Sequence, residues 1–402
     1  MSDAVARAVA AFAAGEFVLV VDDEDRENEG DLILAANAAT PEKIAFMVRH
    51  TSGLICVPLE PLRLDELALP LMVQQNTESF STAFTVSVDL IHDTSTGISA
   101  ADRATTIAAL ANPRYGSMDF ARPGHIFPLR YTQGGVLARP GHTEAAIDLC
   151  RLAGLPRAGV LCELVEDDGT MMRGRRLVEF AAAHDMPVLS IRELVTYRWA
   201  TEAVVRREAE ARLPTEDGEF RAIGYRSKLD GSEHIALVMG EVAGEERVLT
   251  RVHSECFTGD VLGSQRCDCR AQLHAAMRRI AAEGQGIIVY NRSHEGRGIG
   301  LLNKLSAYRL QDEGHDTVEA NHALGFDADL RSFALDAQVL ADLKVASVRL
   351  LTNNPEKQQQ LEMYGIPVAE RIDHVVGVGP HNIQYLETKR SKLGHVIGGA
   401  GT

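Results

Sequence analysis

Three cysteines in the second half of this 402-residue chain, Cys256, Cys267 and Cys269, stand in a C-x10-C-x-C pattern that can grip a metal ion. Thiolate sulfur favours Zn2+, and three protein ligands leave a fourth position for water, the arrangement of a catalytic site. Two alternatives stay open at this point: cysteines that merely pack as small apolar residues, and a closed structural site with His253 or His274 as the fourth ligand. The polar surroundings Gln265, Arg266 and Arg270 speak against packing alone. The first half holds a second concentration of chemistry, seven acids in the ten positions from Asp22 to Asp31, wedged between the apolar runs Phe17–Val21 and Leu32-Ile33-Leu34. An isolated acidic run is usually a solvated loop. A strand end, however, is where open α/β sheets place their ligands, and oxygen donors there suit Mg2+. Two turns, Arg122-Pro123-Gly124-His125 and Arg139-Pro140-Gly141-His142, set imidazoles on rigid loops. His142 precedes a helix expected to start near Thr143, whose free N–H groups, with Arg139, can hold a phosphate. His125 and Glu163 are further acid–base candidates.

The elements that must carry these residues alternate between strand-length apolar runs and helical periods. Phe17–Val21, Leu54–Leu59, Ala83–Leu90, Gly159–Leu164 and Pro187–Ile191 read as strands. Helices are expected at Pro41–His50, capped by Thr40, at Ser99–Asn112, and at His142–Ala153, ended by Gly154. Arg192–Leu213 reads as a long charged helix broken by Pro214–Gly218, which places a domain boundary there within about ten residues. Beyond it, strands near 220–226, 234–242 and 247–253 suggest an antiparallel start, with helices at about 269–283, 300–313, 334–343 and 354–364. The fold class is α/β to α+β: two domains, 1–204 and 205–402, each a mixed sheet with flanking helices.

Composition narrows the function. A net charge of −15 argues against general nucleic-acid binding. No apolar run reaches membrane-span length, and the N-terminal stretch from Met1 to Phe12 carries Asp3 and Arg7, unlike a signal peptide. Six cysteines, three of them clustered, are no disulfide framework, so a cytoplasmic location is expected.

The stretches Asp22–Asp31, Ser52–Cys56, Thr96–Arg103, Arg122–His125, Gly141–Ala145 and Gly159–Leu164 closely resemble 3,4-dihydroxy-2-butanone 4-phosphate synthase, over about residues 5–198. The resemblance implies conversion of ribulose 5-phosphate to dihydroxybutanone phosphate and formate. It makes Glu27 and His142 ligands of Mg2+ (or Mn2+) and gives the substrate to Arg26, Asp31, Arg139, Thr143 and Glu163. His125, Glu163 and Cys56 then line the reacting centre. Enediol formation needs a base beside a metal-polarised carbonyl, which agrees with that set.

In the second half, Arg251–Glu255 precedes the first cysteine, and His294-Glu295-Gly296-Arg297-Gly298-Ile299-Gly300 follows an apparent strand. With Asp329-Leu330-Arg331 and Leu351–Pro355, they point to a nucleoside triphosphate pocket. These stretches, with Leu301–Lys304, Asp316–Asn321, Leu324–Phe326 and Thr388–His395, resemble GTP cyclohydrolase II over about 208–397. The resemblance implies hydrolytic opening of the imidazole ring of GTP, releasing formate and pyrophosphate. It assigns Zn2+ to Cys256, Cys267 and Cys269, with Mg2+ accompanying the nucleotide. GTP falls to Arg251, Val252, His253, Ser254, Glu255, Gln272, Glu295, Gly296, Arg297, Thr317, Thr352 and Lys357. Asp329 becomes the proton acceptor, Arg331 a nucleophile at the α-phosphate, and Tyr308 a proton donor or positioner. A guanidinium is an awkward nucleophile, so electrostatic stabilisation of the leaving pyrophosphate by Arg331 stands equally. The chain departs from the resemblance at Ser293-His294, one residue more before Glu-Gly-Arg than many members have, expected to lengthen the loop at the pocket rim.

As a whole the chain resembles the fused enzymes of riboflavin biosynthesis that join both activities. The implied partners are the two small substrates and further copies of the chain, as a homodimer or higher oligomer. The rival readings leave only one half catalytic and make the other a scaffold or a nucleotide-sensing module.

Overall fold

The computed structural model describes residues 3–394 and 396, apart from the side chain of Gln384. His395, the last residue of the Thr388–His395 stretch, lies outside the described residues, as do Met1 and Ser2. The chain divides into two units, Met1–Arg198 and Trp199–Thr402.

The first unit is a seven-stranded mixed sheet. Its strands are β1 (Val18–Val21), β2 (Gly30–Ala35), β3 (Cys56–Leu59), β4 (Val88–Leu90), β5 (Phe120–Arg130), β6 (Gly159–Glu163) and β7 (Val188–Ser190). Their spatial order is β4-β5-β3-β6-β2-β1-β7. Helices α1 (Asp3–Ala13), α2 (Pro41–His50), α3 (Pro61–Glu66), α4 (Ala100–Ala111), α5 (His142–Leu152) and α6 (Arg175–Ala183) accompany it, and α7 (Ile191–Thr201) closes it. Every residue of β2 is buried, because both faces of the sheet are covered: Leu32 and Leu34 enter one apolar cluster, Ile33 and Ala35 the other. Local chemistry sets the helix starts. The Thr40 hydroxyl accepts from Lys43 N with Pro41 in the first turn, and the Ser99 hydroxyl accepts from Asp102 N.

The second unit is another seven-stranded sheet, ordered β14-β13-β11-β12-β10-β9-β8. It comprises β8 (Val205–Thr215), β9 (Gly218–Ser227), β10 (Glu233–Met239), β11 (Val248–Ser254), β12 (Gly286–Asn291), β13 (Val348–Leu351) and β14 (Val368–Ile372). Strands β8, β9, β10 and β12 pair antiparallel in that order, whereas β12, β11, β13 and β14 run parallel. The helices are α8 (Phe257–Asp260), α9 (Cys269–Glu283), α10 (Gly300–Asp312), α11 (Thr317–Ala323), α12 (Ala334–Asp342), α13 (Pro355–Met363) and α14 (Ile383–Lys392).

Several expectations are corrected. Arg192–Leu213 is not one helix: α7 stops at Thr201, and Val205–Thr215 is an edge strand, so Pro214–Gly218 spans the β8–β9 hairpin turn. The expected strand Ala83–Leu90 shrinks to Val88–Leu90, preceded by isolated bridges at Phe84 and Thr85. The N-terminal Ala/Val-rich stretch is a helix, and β5, which contains Pro123 and Pro128, carried no strand signal.

Candidate functional sites

In the first unit the acidic run is the loop of the β1–β2 hairpin, closed by the Val21–Gly30 pairing. Asp22 organises it. Its carboxylate accepts from Glu27 N at 3.1 Å, Glu29 N at 2.9 Å and Arg26 Nη1 at 2.9 Å. Opposite the loop stands the first turn of α5. His142, its first residue, places Nδ1 3.7 Å from Glu27 Oε2 and 3.9 Å from Asp31 Oδ1. Asp22, Glu27 and His142 bring their donor atoms close enough to share one cation. Burial alone would neutralise His142, but Asp31, Glu27 and Asp22 outweigh it and push the imidazole up to about 9. Burial pushes Asp31 up to about 7. Asp31 Oδ1 and His142 Nε2 are buried with no hydrogen-bond partner. Such orphaned atoms, set among carboxylates, fit a hard divalent cation and its substrate oxygens.

The N-terminus of α5 is also an anion seat. Gly141 caps it without a side chain, and a methyl there would fall 2.6 Å from Arg139 Nη1, 3.0 Å from Glu144 Oε2 and 3.2 Å from Arg26 Nη2, so two guanidiniums and the carboxylate that pairs with Arg139 close around this turn. Thr143 is buried in the same turn. Arg139 is aimed by Glu144 (2.7 Å) and by Phe80 O and Thr82 Oγ1. Glu163, at the end of β6, pairs in register with Asp31 and accepts from Ser52 Oγ at 2.7 Å. Cys56 is buried, and burial followed by the Glu163 charge raises its thiol well above the ordinary range, so it is no nucleophile as it stands. His125 is tied to Asp89, Nδ1 to Oδ2 at 2.6 Å. Asp89 was missed because an acid in a short strand has no local signature. Gly97, at φ +88, makes room for that pair, since a methyl there would meet Asp89 Oδ2 at 2.1 Å and His125 Nδ1 at 2.8 Å. Asp89→Asn is expected to slow the reaction of this site roughly tenfold by loosening His125, with KM little changed, as steady-state kinetics would read.

In the second unit the parallel strands β11, β12 and β13 end at one edge. The connections from β11 and β13 diverge there, which opens a crevice at the carboxyl ends of the strands. The crevice is a cleft open to solvent. The end of β11 brings Arg251, His253, Ser254, Glu255 and Cys256 to it; the start of α9 adds Cys267, Cys269 and Gln272. The turn after β12 adds Gly296 and Arg297, α10 adds Tyr308 and α11 Thr317, while Arg331, Thr352 and Lys357 close the far wall. Three assigned residues do not line it. Val252 packs in the core and gives its carbonyl to Lys357 Nζ (2.8 Å). Glu295 braces the first cysteine, accepting from Phe257 N at 2.6 Å and Lys304 Nζ at 2.6 Å. Asp329 grips Arg331, taking its Nε at 2.7 Å and its Nη2. Burial would raise Asp329, but Arg331 holds it below the usual carboxylate range.

Cys256 Sγ lies 3.6 Å from Cys267 Sγ, and the three thiols form one potential donor group. Hydrogen bonds from Cys267 and Cys269, with the Lys304 ammonium at 3.0 Å, pull the Cys256 thiol down. A methyl on Gly259 would meet Cys267 Sγ at 2.8 Å, so the backbone folds directly under the sulfurs. Among the described residues no imidazole joins them. His253 Nε2 is 3.1 Å from Asp260 Oδ2, and His274 Nδ1 meets Asp217. In this arrangement both histidines are engaged by carboxylates and neither belongs to the thiol group. Three sulfurs beside a cleft fit Zn2+ with an open position. The positive walls fit a triphosphate, and Arg251 Nε and Arg297 Nη2 are buried without partners. His294, in the loop expected to be longer, lines the cleft. It is buried, with Nδ1 3.1 Å from Ser254 Oγ and Nε2 2.9 Å from Ser332 O, and burial with the Arg331 charge holds it down at about 3. Sequence reasoning missed Lys304, although its position four residues after Gly300 on α10 placed it next to the Gly-rich turn. Lys304→Met is expected to lower zinc affinity by about tenfold in a chelator competition, since the ammonium offsets thiolate charge.

Two mixed-sheet units, one with a carboxylate–imidazole cation centre and one with a tri-thiol centre under a cationic cleft, define a two-site α/β enzyme of the metal-assisted class. The sequence pattern of 3,4-dihydroxy-2-butanone 4-phosphate synthase matches residues 6–197 and that of GTP cyclohydrolase II residues 206–373. The chain is 59% identical over 393 residues to the riboflavin biosynthesis protein RibBA of Salinispora arenicola (strain CNS-205), covering 98% of this chain and 94% of that one. It is 55% identical over 403 residues to RibBA of Mycobacterium avium (strain 104), covering 99% and 95%. Among solved structures, RibBX, a two-domain 3,4-dihydroxy-2-butanone 4-phosphate synthase from A. baumannii, superposes with a TM-score of 0.68 at 36% identity, over 87% of this chain and 93% of its own. The chain belongs to the RibBA family of riboflavin biosynthesis: a bifunctional enzyme with a 3,4-dihydroxy-2-butanone 4-phosphate synthase half and a GTP cyclohydrolase II half. No helix among the described residues is long and apolar enough to cross a membrane.

Proposed function

We propose that residues 1–204 convert ribulose 5-phosphate to 3,4-dihydroxy-2-butanone 4-phosphate and formate, and that residues 205–402 hydrolyse GTP to a diaminopyrimidine ribotide, formate and pyrophosphate. In the first half Glu27 and His142, with Asp22 beside them, hold Mg2+ or Mn2+. When bound, that cation polarises the sugar carbonyl and neutralises enediolate charge. Arg26, Arg139 and Thr143 at the start of α5 take the phosphate, Asp31 and Glu163 face the sugar hydroxyls, and Cys56 shapes the wall. His125, aimed by Asp89, exchanges protons with the substrate through Nε2.

In the second half Cys256, Cys267 and Cys269 hold Zn2+, which when bound supplies a Lewis acid that activates water. Arg251, His253, Ser254, Glu255, Gln272, Gly296, Arg297, Thr317, Thr352 and Lys357, which line the cleft, bind GTP, whose triphosphate carries its own Mg2+. Tyr308, with Oη 3.1 Å from Thr258 Oγ1, sits in the cleft wall as a proton donor or positioner. Asp329 holds Arg331, and its hydrogen bonds, working against burial, raise the guanidinium further. That supports Arg331 as a fixed positive charge at the α-phosphate and not a nucleophile. Arg331→Ala should cut turnover by roughly 10²–10³-fold, and a rapid quench with α-labelled GTP should show no guanylylated protein; a phosphoramidate adduct would restore the nucleophile. We further propose that the enzyme works in the cytoplasm as a homodimer or higher oligomer.

The single observation that carries the reading of the second half is the thiol trio, joined by no imidazole among the described residues and opening into a cleft of arginines and lysines. The test is to give the purified chain each substrate separately and assay formate, the common product. A specific observation favours a second reading: the A. baumannii neighbour, which has two domains, is described as a 3,4-dihydroxy-2-butanone 4-phosphate synthase. Formate from ribulose 5-phosphate but none from GTP, in zinc-loaded protein, would favour a scaffold or sensing role for residues 205–402.

A further inference from the structure

The GTP cyclohydrolase II pattern ends at residue 373, yet the segment beyond it builds a wall of the cleft: Tyr385 and Lys389, both on α14, line it. The segment is fastened at three places. His374 N donates to Asn353 Oδ1 at 2.7 Å, and Asn353 Nδ2 donates back to His374 O at 2.9 Å. His374 Nε2 meets Gln272 O at 2.8 Å, and Gly377 lies so close to α9 that a methyl would fall 2.4 Å from Ala271 Cβ. Lys392 pairs with Asp316 and Glu319, the capping box of α11. Each anchor adjoins a residue assigned above to GTP: Thr352, Gln272 and Thr317.

We propose that α14 completes the nucleotide site and that Lys389 is a GTP-binding residue, a cation that no assignment above includes. The inference rests on reading this cleft as the GTP site. Lys389 is buried, with Nζ 2.9 Å from Asp268 Oδ1 and 4.3 Å from the centroid of the Tyr385 ring. Asp268 is itself held by Gln272 Nε2 at 2.6 Å, so the ammonium is aimed from the turn between Cys267 and Cys269. That carboxylate takes one of its three N–H donors, and the others serve acceptor atoms of a nucleotide lying in the cleft. A buried ammonium on a cleft wall is costly unless acceptors meet it, and an anionic ligand supplies them.

The test uses the full-length, zinc-loaded chain and calorimetric binding of the α,β-methylene analogue of GTP, with zinc stoichiometry measured alongside. Lys389→Met should weaken binding by about tenfold with zinc retained, and Lys389→Arg should stay within about threefold of the parent. Glu387→Gln, on the exposed side of α14, should leave affinity unchanged. Lys389→Met protein that binds the analogue like the parent overturns the proposal, as does loss of zinc together with binding, which would make Lys389 a structural prop. A parent chain that binds no analogue would instead sink the GTP reading itself.

Discussion

Cys267→Ser is expected to abolish formate release from GTP, by roughly a thousandfold or more, while ribulose 5-phosphate turnover stays within about twofold of the parent. The reason lies in the donor group. Cys256, Cys267 and Cys269 offer three sulfurs close enough to share one ion, and among the described residues no imidazole joins their group. A serine hydroxyl is a far weaker zinc ligand than a thiolate, so two sulfurs remain where a stable site needs three protein ligands. Zinc content should fall with activity, and elemental analysis checks it independently of turnover. Full GTP activity in a zinc-free Cys267→Ser protein would remove the hydrolytic assignment of the trio.

His142→Ala is expected to do the reverse, cutting formate from ribulose 5-phosphate by roughly a thousandfold while GTP hydrolysis holds within about twofold. His142 sits within 4 Å of both Glu27 and Asp31, and it is the only imidazole in the cation-binding group of the described residues. Removing it deletes one ligand and also leaves carboxylates facing one another without its positive charge, so the loop between β1 and β2 loses the partner that holds it against α5. Loss of magnesium-dependent activity with an unchanged circular dichroism spectrum would separate the two effects. Were either substitution to stop both reactions in folded protein, the two sites would not be independent.

Much of the two centres was legible in the linear chain because their chemistry is local. Cys267 and Cys269 are two residues apart, the acidic run is continuous, and His142 opens a helix whose start a Pro-Gly turn announces. Helices with side-chain caps, α2 and α4, were placed for the same reason: Thr40 and Ser99 bond to backbone three residues away.

The misses share a cause. Strand β8 reads Val-Arg-Arg-Glu-Ala-Glu-Ala-Arg-Leu-Pro-Thr, rich in helix-favouring Ala, Glu and Arg, and after Val205 it buries nothing. Only pairing with β9 makes it a strand, and its charges protect an edge of the sheet. Strand β5 hides behind two prolines for the same reason, since its partners β3 and β4 lie far away in sequence.

What the sequence by itself determined is the metal-type character of the Cys267-Asp268-Cys269 turn and of the acidic run, the mixed α/β class of each half, and the capped helices, each set by residues within a few positions of one another. Tertiary structure alone decided that Asp89 aims His125, that Lys304 faces a cysteine 48 positions away, and that His294 turns inward. It also brought Lys389 to Asp268, 121 positions away. A side chain's contacts across such distances depend on which strands pair and which helix packs where. Burial and charge fix those choices only once the whole sheet has formed.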